Sequence, residues 1–136
     1  MKYRLIAFDL DGTLANSDGV VPDDAKAAVQ RAIASGMIVT LATGRMYRPS
    51  ARFASELGIR QPIICYQGAL IAEPAGPLVL WHKPLPLPLA CEAIEQVRED
   101  VETLVYIDDE LYVKAPTERV ERYAQRNGVK LNRVAD

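Results

Sequence analysis

The sequence has no cluster of basic residues, no internal repeat, no low-complexity tract and no apolar run near the ~20 residues of a membrane-spanning helix. Each absence removes a class of protein. Sixteen Lys and Arg stand against 18 Asp and Glu, a net charge of -2. No basic run or aromatic-basic interleaving of the kind that would track a phosphodiester backbone stands out, so nucleic acid is not an expected partner. Lys2, Arg4 and Asp9 interrupt the N-terminal apolar stretch and oppose a signal peptide. The expectation is a soluble cytoplasmic protein with no membrane association. The two cysteines, Cys65 and Cys91, lie in a strand-like and a helix-like run without metal-ligand spacing, and read as reduced core thiols. His82, the single histidine, has no partner at ligand spacing and reads as structural.

What is present is a chain of 136 residues, 49% of them hydrophobic, enough for one compact domain or two small lobes. Strand-length apolar runs alternate with helical patterns, the mark of βαβ units around a parallel sheet. Residues 5–10 read as a first, buried strand. Pro22, Asp23 and Asp24 start a helix with Ala25, Ala28, Val29, Ala32 and Ile33 on one face, and Gly36 ends it. Residues 37–43 form a second strand. A short helix with Phe53 and Leu57 one turn apart stops at Gly58, and residues 62–66 form a third strand. Residues 69–72 and 78–81 flank a turn at 73–77 and read as a hairpin.

Composition then shifts, with Pro84, Pro86 and Pro88 inside a stiff connector over 83–88. The domain boundary is placed there, between residues 1–83 and 84–136. Beyond it Leu87, Ala90, Ile94, Val97 and Val101 mark a helix that buries that stripe. Residues 104–107 and 111–113 read as a hairpin around Asp108, Asp109 and Glu110. Pro116 opens a last helix carrying Val120, Tyr123 and Ala124 and stopped by Gly128, and residues 129–134 form one more strand.

Two polar breaks fall at the carboxyl ends of the first two strands, where open parallel sheets gather ligands. Asp9-Leu10-Asp11-Gly12-Thr13 ends the first and Thr43-Gly44-Arg45 the second, so the two segments are expected to face each other. Isolated buried carboxylates cost several kcal/mol each unless compensated, and a metal ion is the candidate partner. By residue type, Asp9 can attack phosphorus and form an aspartyl-phosphate. Asp11 can serve as acid to the leaving oxygen and then as base to water. Gly12, Thr43 and Gly44 offer backbone and hydroxyl contacts to phosphate, and Arg45 a charge-assisted contact to phosphate or substrate. A carboxylate nucleophile and a phosphate dianion repel each other, and oxygen-only ligation by Asp9 and Asp11 favours Mg²⁺ as the neutralising ion.

Phe8-Asp9-Leu10-Asp11-Gly12-Thr13-Leu14 resembles the first motif of the haloacid dehalogenase superfamily of phosphatases, and Leu41-Ala42-Thr43-Gly44-Arg45 resembles its second. The likeness to the Cof-type branch continues through I-I-C-Y-Q-G-A at 63–69 and H-K-P-L-P at 82–86, and covers essentially the whole chain. It implies a Rossmann-like α/β core lobe, in its N-terminal part, followed by the first half of an α+β cap. It also implies that Asp9 is nucleophile and metal ligand, that Asp11 is acid/base and binds metal through its carbonyl, and that Thr43 binds phosphate. Gln67 departs from the pattern, which has Asn there. The family's later Lys motif and its last acidic motif are not found. The resemblance puts both after the cap, so the chain is expected to stop inside the cap, to be inactive by itself and to self-associate.

Other readings of these features are weaker. A calcium loop beginning at Asp9 would need Glu at its twelfth position, which is Val20. Asp108-Asp109 could imitate the absent acidic motif, but Glu110 leads straight back into Leu111-Tyr112-Val113, as a solvated turn would. Lys83 and Lys114 are poor stand-ins for the absent Lys, and Trp81, Tyr106 and Tyr112 read as packing residues rather than a substrate cage. The function expected is Mg²⁺-dependent hydrolysis of a small phosphorylated metabolite such as a sugar phosphate. The alternatives are a phosphotransferase or phosphomutase of the same superfamily, and a silent regulatory module that holds phosphate on Asp9 without needing Asp11.

Overall fold

The computed structural model describes residues 3–76, 78–97 and 101–135. The chain forms two compact units, residues 1–83 and 84–136. Among the described residues, no helix is long and apolar enough to cross a membrane.

In the first unit β1 (Leu5–Phe8) and β2 (Ile38–Leu41) pair in parallel, with Leu5 opposite Ile38 and Phe8 opposite Leu41. The connecting helix α1 (Asp23–Ala34) has Asp23 and Asp24 in its first turn, where carboxylates complement the helix dipole. Gly36, at φ +84°, turns the chain back into β2. Helix α2 (Tyr47–Leu57) ends at Gly58 in the left-handed conformation. Strand β3 (Ile63–Cys65) then joins β2 in parallel through an Ala42–Ile64 bridge, and β4 (Leu70–Ala72) and β5 (Val79–His82) continue the sheet antiparallel. The expected hairpin is therefore present, although Pro77 in its turn lies outside the described residues. The result is an α/β layer whose sheet is parallel around the strand tips and antiparallel beyond β3. Leu10, Leu41, Leu57, Ile63, Val29 and Val39 pack into its core.

The first strand departs from its expected form. It ends at Phe8, and Leu10 belongs to the following turn, fully buried, while Leu5 is 55% exposed. The strand is paired on one side by β2 among the described strands, which leaves its outer half open to solvent.

The second unit holds α3 (Leu87–Val97), β6 (Val105–Ile107), β7 (Glu110–Val113), α4 (Glu118–Asn127) and β8 (Leu131–Arg133). Pro88, assigned to the connector from sequence, falls in the first turn of α3, where the missing N–H costs nothing. Helix α4 begins two residues after Pro116: Thr117 holds the position before its first turn without a side-chain cap bond, and the N–H and hydroxyl of Thr117 both donate to the Glu102 carboxylate at 2.7 and 2.8 Å. Strands β6 and β7 form the expected hairpin. Asp108 and Asp109, at φ +50° and +61°, make its two-residue turn, whose left-handed geometry suits the strand twist. Strand β8 pairs in parallel with β7.

The expected burial of the α3 stripe is corrected. Leu87 is 75% and Val101 57% exposed, and α3 contributes no buried residue. Residues 98–100, part of that expected helix, lie outside the described residues. Burial in this unit centres on Leu111 and Val113 of β7, Val120 and Ala124 of α4, and Val129 just after that helix. Trp81 and Tyr106, expected to pack, are exposed.

Glu110 fastens β7 to β8. Its Oε2 accepts from Asn132 Nδ2 at 2.9 Å and from Lys130 Nζ and Tyr112 Oη at 3.4 Å. The Asn132 bond first, then Lys130, holds the Glu110 carboxyl below the ordinary glutamate range. A group lowered in the folded state stabilises fully above its unfolded value of about 4.3 and loses that contribution as pH falls through the folded value. The thermal-midpoint difference between wild type and Glu110→Gln is therefore expected to shrink over the window that opens at about pH 5 and runs below the unfolded value. A difference that stays constant over that window would contradict it.

Candidate active site

The site is built on the β1 and β2 tips. After Phe8 the chain makes a tight turn in which the N–H groups of Thr13 and Ala15 both donate to the Leu10 carbonyl, at 3.3 and 2.7 Å. Burying Leu10 while the chain alternates sends Asp9 and Asp11 outward, and both are exposed. The burial cost expected for these carboxylates is thus absent, since water and nearby donors satisfy them. Thr13 Oγ1 donates to Asp9 Oδ2 at 3.1 Å. Gly12 sits at φ +78°, its N–H donates to the Ala15 carbonyl, and a Cβ there would meet nothing within 4 Å. Its contribution is a left-handed turn with open space in front of it.

The second segment is held from behind by β3. Thr43 N–H donates to the Ile64 carbonyl at 2.9 Å, Tyr66 N–H to the Arg45 carbonyl at 3.0 Å and Gln67 N–H to the Thr43 carbonyl at 3.4 Å. Thr43 is 5% exposed, and its Oγ1 accepts the Arg45 N–H at 3.2 Å. Tyr66, Gln67 and Gly68 all have positive φ, an uncommon run for residues bearing side chains and one that tends to mark functional sites. It brings the Gln67 carboxamide against Gly44, where any Cβ would collide with it.

The two segments meet through Arg45 and Asp11. Arg45 Nε donates to Asp11 Oδ2 at 2.7 Å and Nη2 to Oδ1 at 2.6 Å, a two-point fork. The guanidinium carbon lies 5.0 Å from the centroid of the Phe53 ring on α2. Asp9 and Asp11 supply hard oxygen donors, the type that suits Mg²⁺. Among the described residues no group of three or more His, Cys, Asp or Glu comes together to complete such a site.

Residues 6–135 match the family of haloacid dehalogenase-like hydrolases. The chain belongs to that family. It is 32% identical over 123 residues to the pyridoxal phosphate phosphatase YbhA of Escherichia coli, covering 90% of this chain and 45% of that protein. It is also 32% identical over 95 residues to the 5-amino-6-(5-phospho-D-ribitylamino)uracil phosphatase YitU of Bacillus subtilis, covering 69% of this chain and 35% of that one. Among solved structures, a haloacid dehalogenase-like hydrolase from Bacteroides thetaiotaomicron superposes with a TM-score of 0.78 at 25% identity, over 99% of this chain and 53% of that chain. One from B. subtilis gives 0.76 at 27%, over 92% and 46%. The chain thus spans less than half the length of these curated relatives and about half of those solved chains.

Within this haloacid dehalogenase-like unit, all six candidates from the sequence lie on the two strand-tip segments, and Asp11 and Arg45 are in direct contact. Thr13, Phe53 and the side chain of Gln67 are the neighbours that the sequence does not assign. Thr13 was legible in principle as a hydroxyl four residues after Asp9. Phe53 was not, because its helical spacing with Leu57 is also that of a core residue.

Proposed function

We propose that this chain carries the nucleophile half of a Mg²⁺-dependent phosphomonoester hydrolase acting on a small phosphorylated metabolite, such as a sugar phosphate. Residues 1–83 would be the core lobe and 84–136 part of a cap. The observation that carries this reading is the Asp11–Arg45 fork, which draws the β1 and β2 tips to one place while Asp9 faces outward beside it. The relatives named as phosphatases of small phosphorylated compounds support the substrate class.

In this reading an Asp9 carboxylate oxygen bonds to phosphorus as the bond to the leaving oxygen breaks, and Asp11 gives that oxygen its proton. Asp11 then takes a proton from the water that attacks the aspartyl-phosphate, which releases inorganic phosphate and restores Asp9. Mg²⁺ held by Asp9 and Asp11 would offset the negative charge that gathers where carboxylate and phosphate meet. Thr43 accepts the Arg45 N–H, and its hydroxyl can donate a hydrogen bond to a phosphate oxygen; Gly12 keeps its side of the approach clear of side chains, while the Gln67 carboxamide lies against Gly44.

Phosphate release from a panel of small phosphomonoesters in Mg²⁺ tests the reading, with Thr43→Val as the probe of the phosphate subsite. Losing one well-placed donor of this kind costs about 3 kcal/mol of transition-state stabilisation, or roughly 100-fold in rate. The backbone bond from Thr43 to Ile64 survives the substitution, so the thermal midpoint should move little. Unchanged kinetics in Thr43→Val would move the phosphate subsite elsewhere.

A further inference from the structure

Arg45 and Asp11 are unequal partners. The Arg45 side chain is 10% exposed and that of Asp11 56%. Arg45 is tied to its surroundings at both backbone ends, through its N–H to Thr43 Oγ1 and its carbonyl to the Tyr66 N–H. Its guanidinium lies over Phe53, which packs against the hydrophobic core. Asp11 projects from an exposed turn. Two parallel bonds to both carboxylate oxygens fix the plane of that group as well as its position, which a single ammonium contact would not do. Asp9, two residues away, accepts from Thr13 instead, so the fork tells the two carboxylates apart.

We propose that Arg45 is a positioning residue for Asp11, with the Phe53 ring as its backstop: the buried cation sets the direction in which the exposed carboxylate faces. This rests on the reading of Asp11 as acid/base, and it gives Arg45 a task distinct from contacting phosphate. An Arg45 that worked only as a phosphate ligand would have no need of a fork closed on Asp11.

The experiment has two arms. Three-bond couplings of the Asp11 side chain are measured by NMR on the 136-residue chain as wild type, Arg45→Lys and Phe53→Leu, with backbone amide shifts confirming the fold. A single staggered χ1 rotamer is expected in the wild type, averaging in Arg45→Lys, and partial averaging in Phe53→Leu, which keeps the fork but loosens its support. Averaged couplings in the wild type, or a single rotamer in both variants, overturn the proposal. The second arm compares turnover of p-nitrophenyl phosphate, whose leaving group needs little protonation, with that of an alkyl phosphate, whose leaving group needs much. Arg45→Lys is expected to lower kcat/KM, which reports the steps up to departure of the leaving group and not the later hydrolysis of the aspartyl-phosphate, by about 10-fold or more on the alkyl ester and by less than about 3-fold on the aryl ester. Equal losses on both overturn the proposal, because a phosphate ligand would serve both esters alike. If neither the 136-residue chain nor a form as long as its phosphatase relatives hydrolyses either ester, the phosphatase reading fails, and the couplings still decide the positioning.

Discussion

Asp9→Asn, in a form of the protein as long as its phosphatase relatives, is expected to lower phosphomonoester turnover by about 10⁴-fold or more, the scale on which removal of a covalent nucleophile acts. The amide keeps the size of the carboxylate and can still accept from Thr13, so the turn around Leu10 should hold and the thermal midpoint should barely change. What the substitution removes is the anionic oxygen that would bond to phosphorus. Asp11→Asn, by contrast, should leave the nucleophile in place and slow both proton transfers, by roughly 10²–10⁴-fold. Acid quenching during turnover separates the two: phosphate bound covalently to protein should build up in Asp11→Asn and be undetectable in Asp9→Asn. Covalent phosphate in Asp9→Asn at the wild-type level would place the nucleophile on another residue. A long-lived acyl phosphate with no effect of Asp11→Asn would favour the regulatory module over the hydrolase.

Leu10→Ala is expected to cost about 2–5 kcal/mol of folding stability, as other large-to-small changes at fully buried leucines do. Leu10 has no exposed surface and sits in the turn between the two carboxylates, with its carbonyl accepting two N–H groups. Truncating it opens a cavity directly under the site, so the loss should extend to activity even where the chain remains folded. Leu80→Ala is the control, since Leu80 is 55% exposed on β5 and should cost less than about 0.5 kcal/mol. Denaturant midpoints of the two variants give the comparison. Equal midpoints would mean that Leu10 does not anchor the turn.

Much of the first unit was legible because its signals are local. Gly36 and Gly58 ended the helices where expected, and the polar breaks after two apolar runs marked the strand tips that meet through Asp11 and Arg45. The β6–β7 hairpin was legible for the same reason, since two acids between strand-like runs form a turn. Burial was harder to read. The apolar spacing of α3 states what the helix could bury, but whether Leu87 and Val101 are covered depends on how much sheet is available, and that is a property of the assembled unit. The packing of Arg45 over Phe53 joins the segment after β2 to α2 through space. No spacing along the chain records it.

The close approach of Gln67 to Gly44 ties two positions 23 residues apart in the chain into one combinatorial unit. A methyl group at 44 has to push the carboxamide of Gln67 out of the way, and a shorter side chain at 67 would leave that room from the start. In any library that varies this loop, a side chain at 44 is therefore expected to be accepted together with a turned or shortened side chain at 67. The choice of side chain on the loop after β3 sets how far the segment after β2 is free to diversify.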